Sequence, residues 1–233
     1  MSHFNKAVAE KARLDAIAAS FDNATTTPDL VVLCNHRRIL CHKNILTGQS
    51  KWFQKACDGK KACDGKFKES QSDTIGIHEE DDKIIYAMLE FCYRFEYIGA
   101  GCISSLGASQ KDAPAFHAHM FAAGEKYFVQ GLKDLATDHF IKSVKAASDD
   151  DLAAAIRAVY TEVSDPDKIL QAVVTEAVLG KATTLLSGAS TVLNDLLDAL
   201  PAFGGDMTRA FAKSKSSRTP SKPQRHPPQT KRQ

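Results

Sequence analysis

Six cysteines, eight histidines and Ser50 are the groups in this 233-residue chain whose types allow nucleophilic, acid–base or metal chemistry. Such chemistry needs a nucleophile, a base and an orienting partner held together. No spacing here supplies that set. The chain has no glycine-rich phosphate loop, no Gly-x-Ser-x-Gly elbow and no His-Glu-x-x-His pair. His117 and His119 are two apart, so on a helix they face different sides. His42 precedes a helix start and is expected to bond backbone or pack. Ser50 falls on an inward helical face, where its hydroxyl is expected to bond the preceding turn. Cys57 and Cys63 come from one hexapeptide, Lys-Ala-Cys-Asp-Gly-Lys, written at 55–60 and again at 61–66. Five residues separate them, zinc pairs keep about two to four, and no second pair follows. No catalytic residue, metal or cofactor is expected.

The elements that would have to position such groups are those of a globular protein. Apolar residues make up 43% of the chain and charged residues 25%, enough to fill a core. No stretch approaches the roughly 18 uninterrupted apolar residues of a membrane span. Met1 to Glu10 lacks the charged, apolar, small order of a signal peptide. The reading is therefore intracellular, cytoplasmic or nuclear, with Cys34, Cys41, Cys57, Cys63, Cys92 and Cys102 reduced. The net charge of +2 hides an asymmetry: residues 207–233 carry eight basic residues and no acid, leaving 22 basic against 28 acidic residues in 1–206.

Periodicity divides the chain. Val8, Leu14, Ile17 and Phe21 lie near helical spacing over 4–21. Leu30–Leu33, a turn at Asn35-His36 and Arg37–Leu40 read as a hairpin. A helix begins at Lys43 and stops at Asp58-Gly59, Thr74–His78 is a further strand, and Glu79–Asp82 opens the next helix. Helices follow at 115–128 and 130–146. Asp149 is expected to cap another, Asp165-Pro166 to restart the chain, and Pro201 with Gly204-Gly205 to end the helical part. Beyond it the tail is too polar to offset ordering entropy by burial.

Particular residues at these joints carry a resemblance. Asp29-Leu-Val-Val-Leu, then His42-Lys43 opening a helix, then Leu46, Ser50 and Phe53 give the spacing His-x3-Leu-x3-Ser-x2-Phe. With Gly65-Lys-Phe-Lys-Glu-Ser70 and Met88-Leu-Glu-Phe-Cys-Tyr93, this resembles the BTB/POZ family in its fungal form. Ala153–Tyr160 and Leu200–Phe203 resemble the helical extension of those proteins. The resemblance implies an α+β fold, a small mostly three-stranded sheet capped by a helical cluster. It divides the chain into an N-terminal helix and linker (1–26), a BTB/POZ domain (27–146), an all-helical extension (147–205) and a disordered basic tail (206–233). The duplicated hexapeptide departs from the family and lengthens the link between the second helix and the third strand.

What the resemblance implies about work is protein association without catalysis. The resemblance implies a homodimer formed through the N-terminal helix, whose Val8, Leu14, Ile17 and Phe21 must be buried either on their own domain or on a second copy. The charged-pocket pair of the transcription-factor branch falls on Asp29 and Lys43. The cullin-adaptor branch places a hydrophobic-x-acidic tripeptide where this chain reads Ala115-Phe116-His117-Ala118, with no acid two after Phe116. The partner is thus an unidentified protein, a cullin among the options, and no membrane. For the tail, a solvated segment ranks first, nuclear import second and nucleic-acid contact third. No aromatic lies beyond Phe211 to stack on bases.

Overall fold

The structure, a computed structural model, describes residues 5–62, 73–78, 80–97, 113–187 and 192–216. Its sheet follows from alternation of burial. In β1 (Leu30–Cys34), Leu30, Val32 and Cys34 point inward while Val31 and Leu33 stay half-exposed. β2 (Arg37–Cys41) pairs antiparallel with β1 across the two-residue turn Asn35-His36, with Asn35 at φ 51°. β3 (Thr74–Ile77) lies parallel on the other side of β1, giving the order β2-β1-β3. The registers Val32↔Ile39 and Val32↔Ile75 align three buried side chains in one row across the sheet.

Helices cover that apolar face. α1 (Lys6–Ala19) starts at an Asn5 cap and contains no buried residue. α2 (Lys43–Gln49) and α3 (Lys51–Ala62) replace the single helix expected from Lys43, because Ser50 is extended (φ −132°, ψ 118°). α3 also runs past the expected stop, keeping Gly59 inside it. Asp81 caps α4 (Asp82–Arg94) by accepting from the Lys83 N–H at 2.8 Å, as the acidic start predicted. α4 is central: Ile85, Ala87, Met88 and Leu89 are fully buried, and it packs on α1, α2 and α5 (Pro114–Lys126). α5 and α6 (Gln130–Ala146) form the most intimate helix pair of the molecule.

The expected boundary after residue 146 does not separate packing units. α7 (Asp149–Arg157) continues as a π-helical turn, Ala158–Glu162, and both lie on α5. Leu152, Ala153, Ala155 and Ile156 are buried, so one compact unit extends from Met1 to Val174. The cap of α7 is Ser148 rather than Asp149, its hydroxyl accepting from the Asp151 N–H. Asp165 bonds the head of the next helix, but that helix begins at Ile169, so Pro166 sits in the turn before it rather than in its first turn. The buried Asp165 carboxylate accepts from the Ile169 and Gln171 N–H groups at 2.8 and 2.9 Å at the head of α8 (Ile169–Ser187).

The second unit, Thr175–Gln233, holds the rest of α8, α9 (Val192–Ala199) and α10 (Pro201–Ser216). Pro201 and Gly204-Gly205 were expected to end the helical part, and residues 206–233 to be disordered. Instead Pro201 opens α10, where its missing N–H is no loss, and the Gly204 N–H bonds the Leu200 carbonyl at 3.0 Å. Phe203 and Met207 are buried and repay the order. Arg209, Lys213 and Lys215 therefore sit on a helix, and residues 217–233 lie outside the described residues. The twin Cys63 and Cys102 lie outside them too. Among the described residues no helix is long and apolar enough to cross a membrane.

Candidate functional site

Three of the four described thiols lie in the core, and Cys57 is half-buried. Cys34, Cys41 and Cys92 are unbridged and buried. Burial pushes the Cys92 thiol up to about 12 and holds Cys41 still higher, so both stay protonated and unreactive. Burial, then the carboxylates of Asp82, Glu80 and Asp81, raise Cys34 as well. Among the described residues no three His, Cys, Asp or Glu side chains converge as a metal-ligand set.

His42 and Ser50 join elements together. The His42 N–H donates to the Tyr93 hydroxyl at 2.6 Å, and the two ring nitrogens reach Tyr93 Oη (3.1 Å) and the Thr26 carbonyl (2.9 Å). A carbonyl only accepts, so Nε2 carries the proton and the Tyr93 O–H donates to Nδ1. The Ser50 hydroxyl donates to the Tyr127 carbonyl at 2.6 Å and accepts from the Phe53 N–H at 3.1 Å. It caps the following helix rather than bonding the preceding turn. Ser50→Ala leaves two buried backbone groups without partners and is expected to cost about 1–3 kcal/mol in urea unfolding. An unchanged midpoint would contradict the bridge.

The four apolar residues of the first helix part company. Phe21 lies beyond its end and is 7% exposed, its ring 5.0 Å from Tyr86 and 5.1 Å from Tyr93. Asp22 next to it brackets the edge of β2, donating its N–H to the Leu40 carbonyl and accepting from the Leu40 N–H. Ile17 is half-buried, while Val8 is 63% and Leu14 39% exposed. α1 is thus pinned at one end with its outer turns uncovered.

Asp29 and Lys43 do not face each other as an open charged pair. The Asp29 carboxylate accepts from the Lys43 backbone N–H at 2.8 Å and so helps cap α2, whereas the Lys43 ammonium reaches Asp73 at 2.5 Å. Phe116, expected to be a contact residue, is 8% exposed and packs edge-on against Tyr97. It is inward because α5 turns this face to the end of α4.

Behind Phe116 lies a cluster that spacing gave no reason to join. His117 Nδ1 is 3.0 Å from the Tyr97 hydroxyl, and its ring stacks on His139 of α6 at 5.4 Å and 24°. Burial, then the neighbouring His139, lower His117 to about 4, so its ring is neutral near pH 7. His119 points elsewhere, toward Glu162 at 3.3 Å.

Two exposed aromatics went unnoticed in the sequence, Phe95 (47%) and Phe128 (57%). Each ends a helix in the left-handed region, at φ 57° and 54°. A bulky side chain there costs about 1 kcal/mol or more, and the usual occupant is glycine. The readable signal was an aromatic at a helix end with no glycine to stop it. Phe95 stacks edge-on against the buried Phe91, which in turn fills the space beside Gly131 at the head of α6.

Comparison with known proteins adds the family. Among solved structures, the BTB domain of zebrafish PATZ1 aligns with a TM-score of 0.42 at 10% identity, covering 59% of this chain and 96% of that chain. No curated protein matches the sequence. The family model described as BTB/POZ domain matches residues 19–144, more than half of the chain, and spans the sheet, the central α4 and the α5–α6 pair. The chain belongs to the BTB/POZ domain family.

Proposed function

We propose that the protein is a non-catalytic association module that joins a second copy of itself through α1 and recruits another protein. The observation that carries this reading is the state of α1. A helix of 14 residues is marginal in water, and this one buries none of its own residues while exposing Val8 and Leu14. Its stability must come from a surface that covers those side chains. A second copy supplies one by symmetry, each α1 lying against its partner. Phe95 and Phe128, held out at a conformational cost, are the side chains best suited to a further protein contact.

The cullin-adaptor alternative loses the side chain on which it was built, since Phe116 faces inward and no acid follows two residues on. The tail readings, nuclear import and nucleic-acid contact, rest mainly on residues 217–233 and have no described geometry behind them.

Multi-angle light scattering of the full chain tests the reading. At micromolar concentration the parent is expected near twice 25.4 kDa, and a chain carrying Val8→Asp with Leu14→Asp near that mass once. Both substitutions fall on exposed positions, so the fold is expected to survive. A parent that remains a single copy at these concentrations rules the proposal out.

A further inference from the structure

The His117–His139 stack has a second property besides packing. Three segments meet there: the residues just after α4, through Glu96 and Tyr97; α5, through His117; and α6, through His139. Tyr97 is 1% exposed and touches both imidazoles, its ring centroid 5.8 Å from His117 and 5.5 Å from His139. It is the anchor of the Phe95–Tyr97 segment, and the two histidines are its socket.

Charge around this socket is unevenly placed. Glu96 Oε1 lies 3.6 Å from His139 Nε2, a buried nitrogen with no hydrogen-bond partner, and also accepts from the Tyr97 N–H at 2.8 Å. A proton on His139 therefore meets a carboxylate. Among the described residues no carboxylate pairs with His117. On its own helix His119 is engaged with Glu162, and at the end of α4 Arg94 is engaged with Glu90. On α6 the flanking Asp138 and Lys142 are exposed. On α7, packed against α5, Asp149, Asp150, Asp151 and Arg157 are all exposed. The phenol of Tyr97, raised by burial and then by Glu96, stays protonated and shares a hydrogen bond with Nδ1 of the neutral ring.

We propose that the stacked His117–His139 pair is an acid-operated latch, holding Phe95–Tyr97 against α5 and α6 at neutral pH and releasing it when His117 takes up a proton. The Tyr97 hydrogen bond survives protonation, with the imidazolium Nδ1–H as donor to the hydroxyl. What does not survive is an imidazolium buried face to face with a second imidazole and, among the described residues, without a carboxylate paired to it. Opening lets water reach the ring. The latched form holds His117 near 4 against an ordinary 6.5. A base depressed in the closed state favours closure fully above pH 6.5 and loses that preference as pH falls toward 4. Phe95 lies at the outer end of this segment, so the latch would also set the position of one exposed aromatic. The inference itself does not require Phe95 to bind anything.

Amide hydrogen exchange of the full chain, corrected for the intrinsic pH dependence of exchange, tests it. Between pH 7 and 4.5 the protection of the Phe95 and Tyr97 amides is expected to fall on the order of 50-fold, the ratio those two values imply. The Met88 and Leu89 amides in the middle of α4 should keep theirs. His117→Gln keeps a polar contact for Tyr97 but cannot titrate, so its protection at 95–97 should change less than about threefold over the same range. Equal loss at Met88 and Leu89 would mean global unfolding and overturn the latch. So would unchanged protection in the parent, or the same fall in the glutamine variant. Should that variant fail to fold at pH 7, the His117 C2 proton of the parent decides. Its titration must follow the loss of protection, and a midpoint above 6 with protection intact rejects the proposal.

Discussion

Tyr93→Ala is expected to lower the stability of the full chain by about 3–5 kcal/mol, the range for emptying a large aromatic site in a core. Tyr93 is 1% exposed near the end of α4 and touches three elements at once. Its ring packs against Phe21, the residue that pins α1, at 5.1 Å. Its hydroxyl accepts from the His42 N–H and donates to His42 Nδ1 at the start of α2. Burial, first among the causes, holds the phenol far above its ordinary range, so the hydroxyl is un-ionised near neutral pH. Tyr93→Phe separates the two contributions. It keeps the ring against Phe21 but strands the His42 N–H, and should cost about 1–3 kcal/mol. Urea denaturation of parent, phenylalanine and alanine variants should give that order. If the alanine variant unfolds at the parent's midpoint, Tyr93 is not the joint between α1, α2 and α4.

The parts of this fold legible in the sequence are those where one period dominates. Leu30–Leu33 is a short apolar run rich in β-branched residues, Asn35-His36 turns, and Arg37–Leu40 returns, so the hairpin reads directly. α4 and α6 read because their apolar residues recur at helical spacing over three turns or more. His42 read as structural because a helix start leaves backbone groups to satisfy. What failed to read depends on contacts far apart in the chain. Ser50 breaks a helix because the carbonyl of Tyr127 waits for its hydroxyl, and no local pattern announces that. Phe116 is a contact candidate only because the resemblance puts the adaptor tripeptide there, and its packing on Tyr97 and His117 turns it inward. Pro201 by itself reads as a stop, but proline also starts helices, and the buried Phe203 and Met207 decide which.

The site residues divide along the same line. Val8 and Leu14 were legible as apolar side chains needing a cover, and the structure leaves them exposed. Asp29 and Lys43 were legible as charges but not as caps and pairings, because Asp73 is distant in sequence. Phe95 and Phe128 were missed because their exposure follows from left-handed backbone at two helix ends. An aromatic in a sequence reads as core by default.

The joint between α5 and α6 gives the second large effect. Gly124 sits where the two helices approach most closely. A β-carbon there would lie 2.8 Å from the Lys133 backbone nitrogen and 3.1 Å from its Cα and Cβ. Backbone cannot rotate aside as a side chain can, so a larger residue must push the first turn of α6 away. That turn carries the Val129 N–H bonded to the Gly124 carbonyl at 2.8 Å, and Lys133 itself, whose ammonium holds Glu125 at 2.5 Å and reaches Asp167 at 3.6 Å. Displacing α6 therefore loosens its tie to α5 and to the loop that leads into α8. Gly124→Leu is expected to cost about 3 kcal/mol, the upper end for overpacking, because the clash is with main chain. Gly48→Ala is the control: nothing lies within 4 Å of its β-carbon, and removing a helical glycine should leave stability unchanged or raise it by up to about 1 kcal/mol. Thermal or urea midpoints of the two variants should move apart. If Gly124→Leu tracks the parent, α5 and α6 have room between them, and the socket that Tyr97 occupies is looser than its distances require.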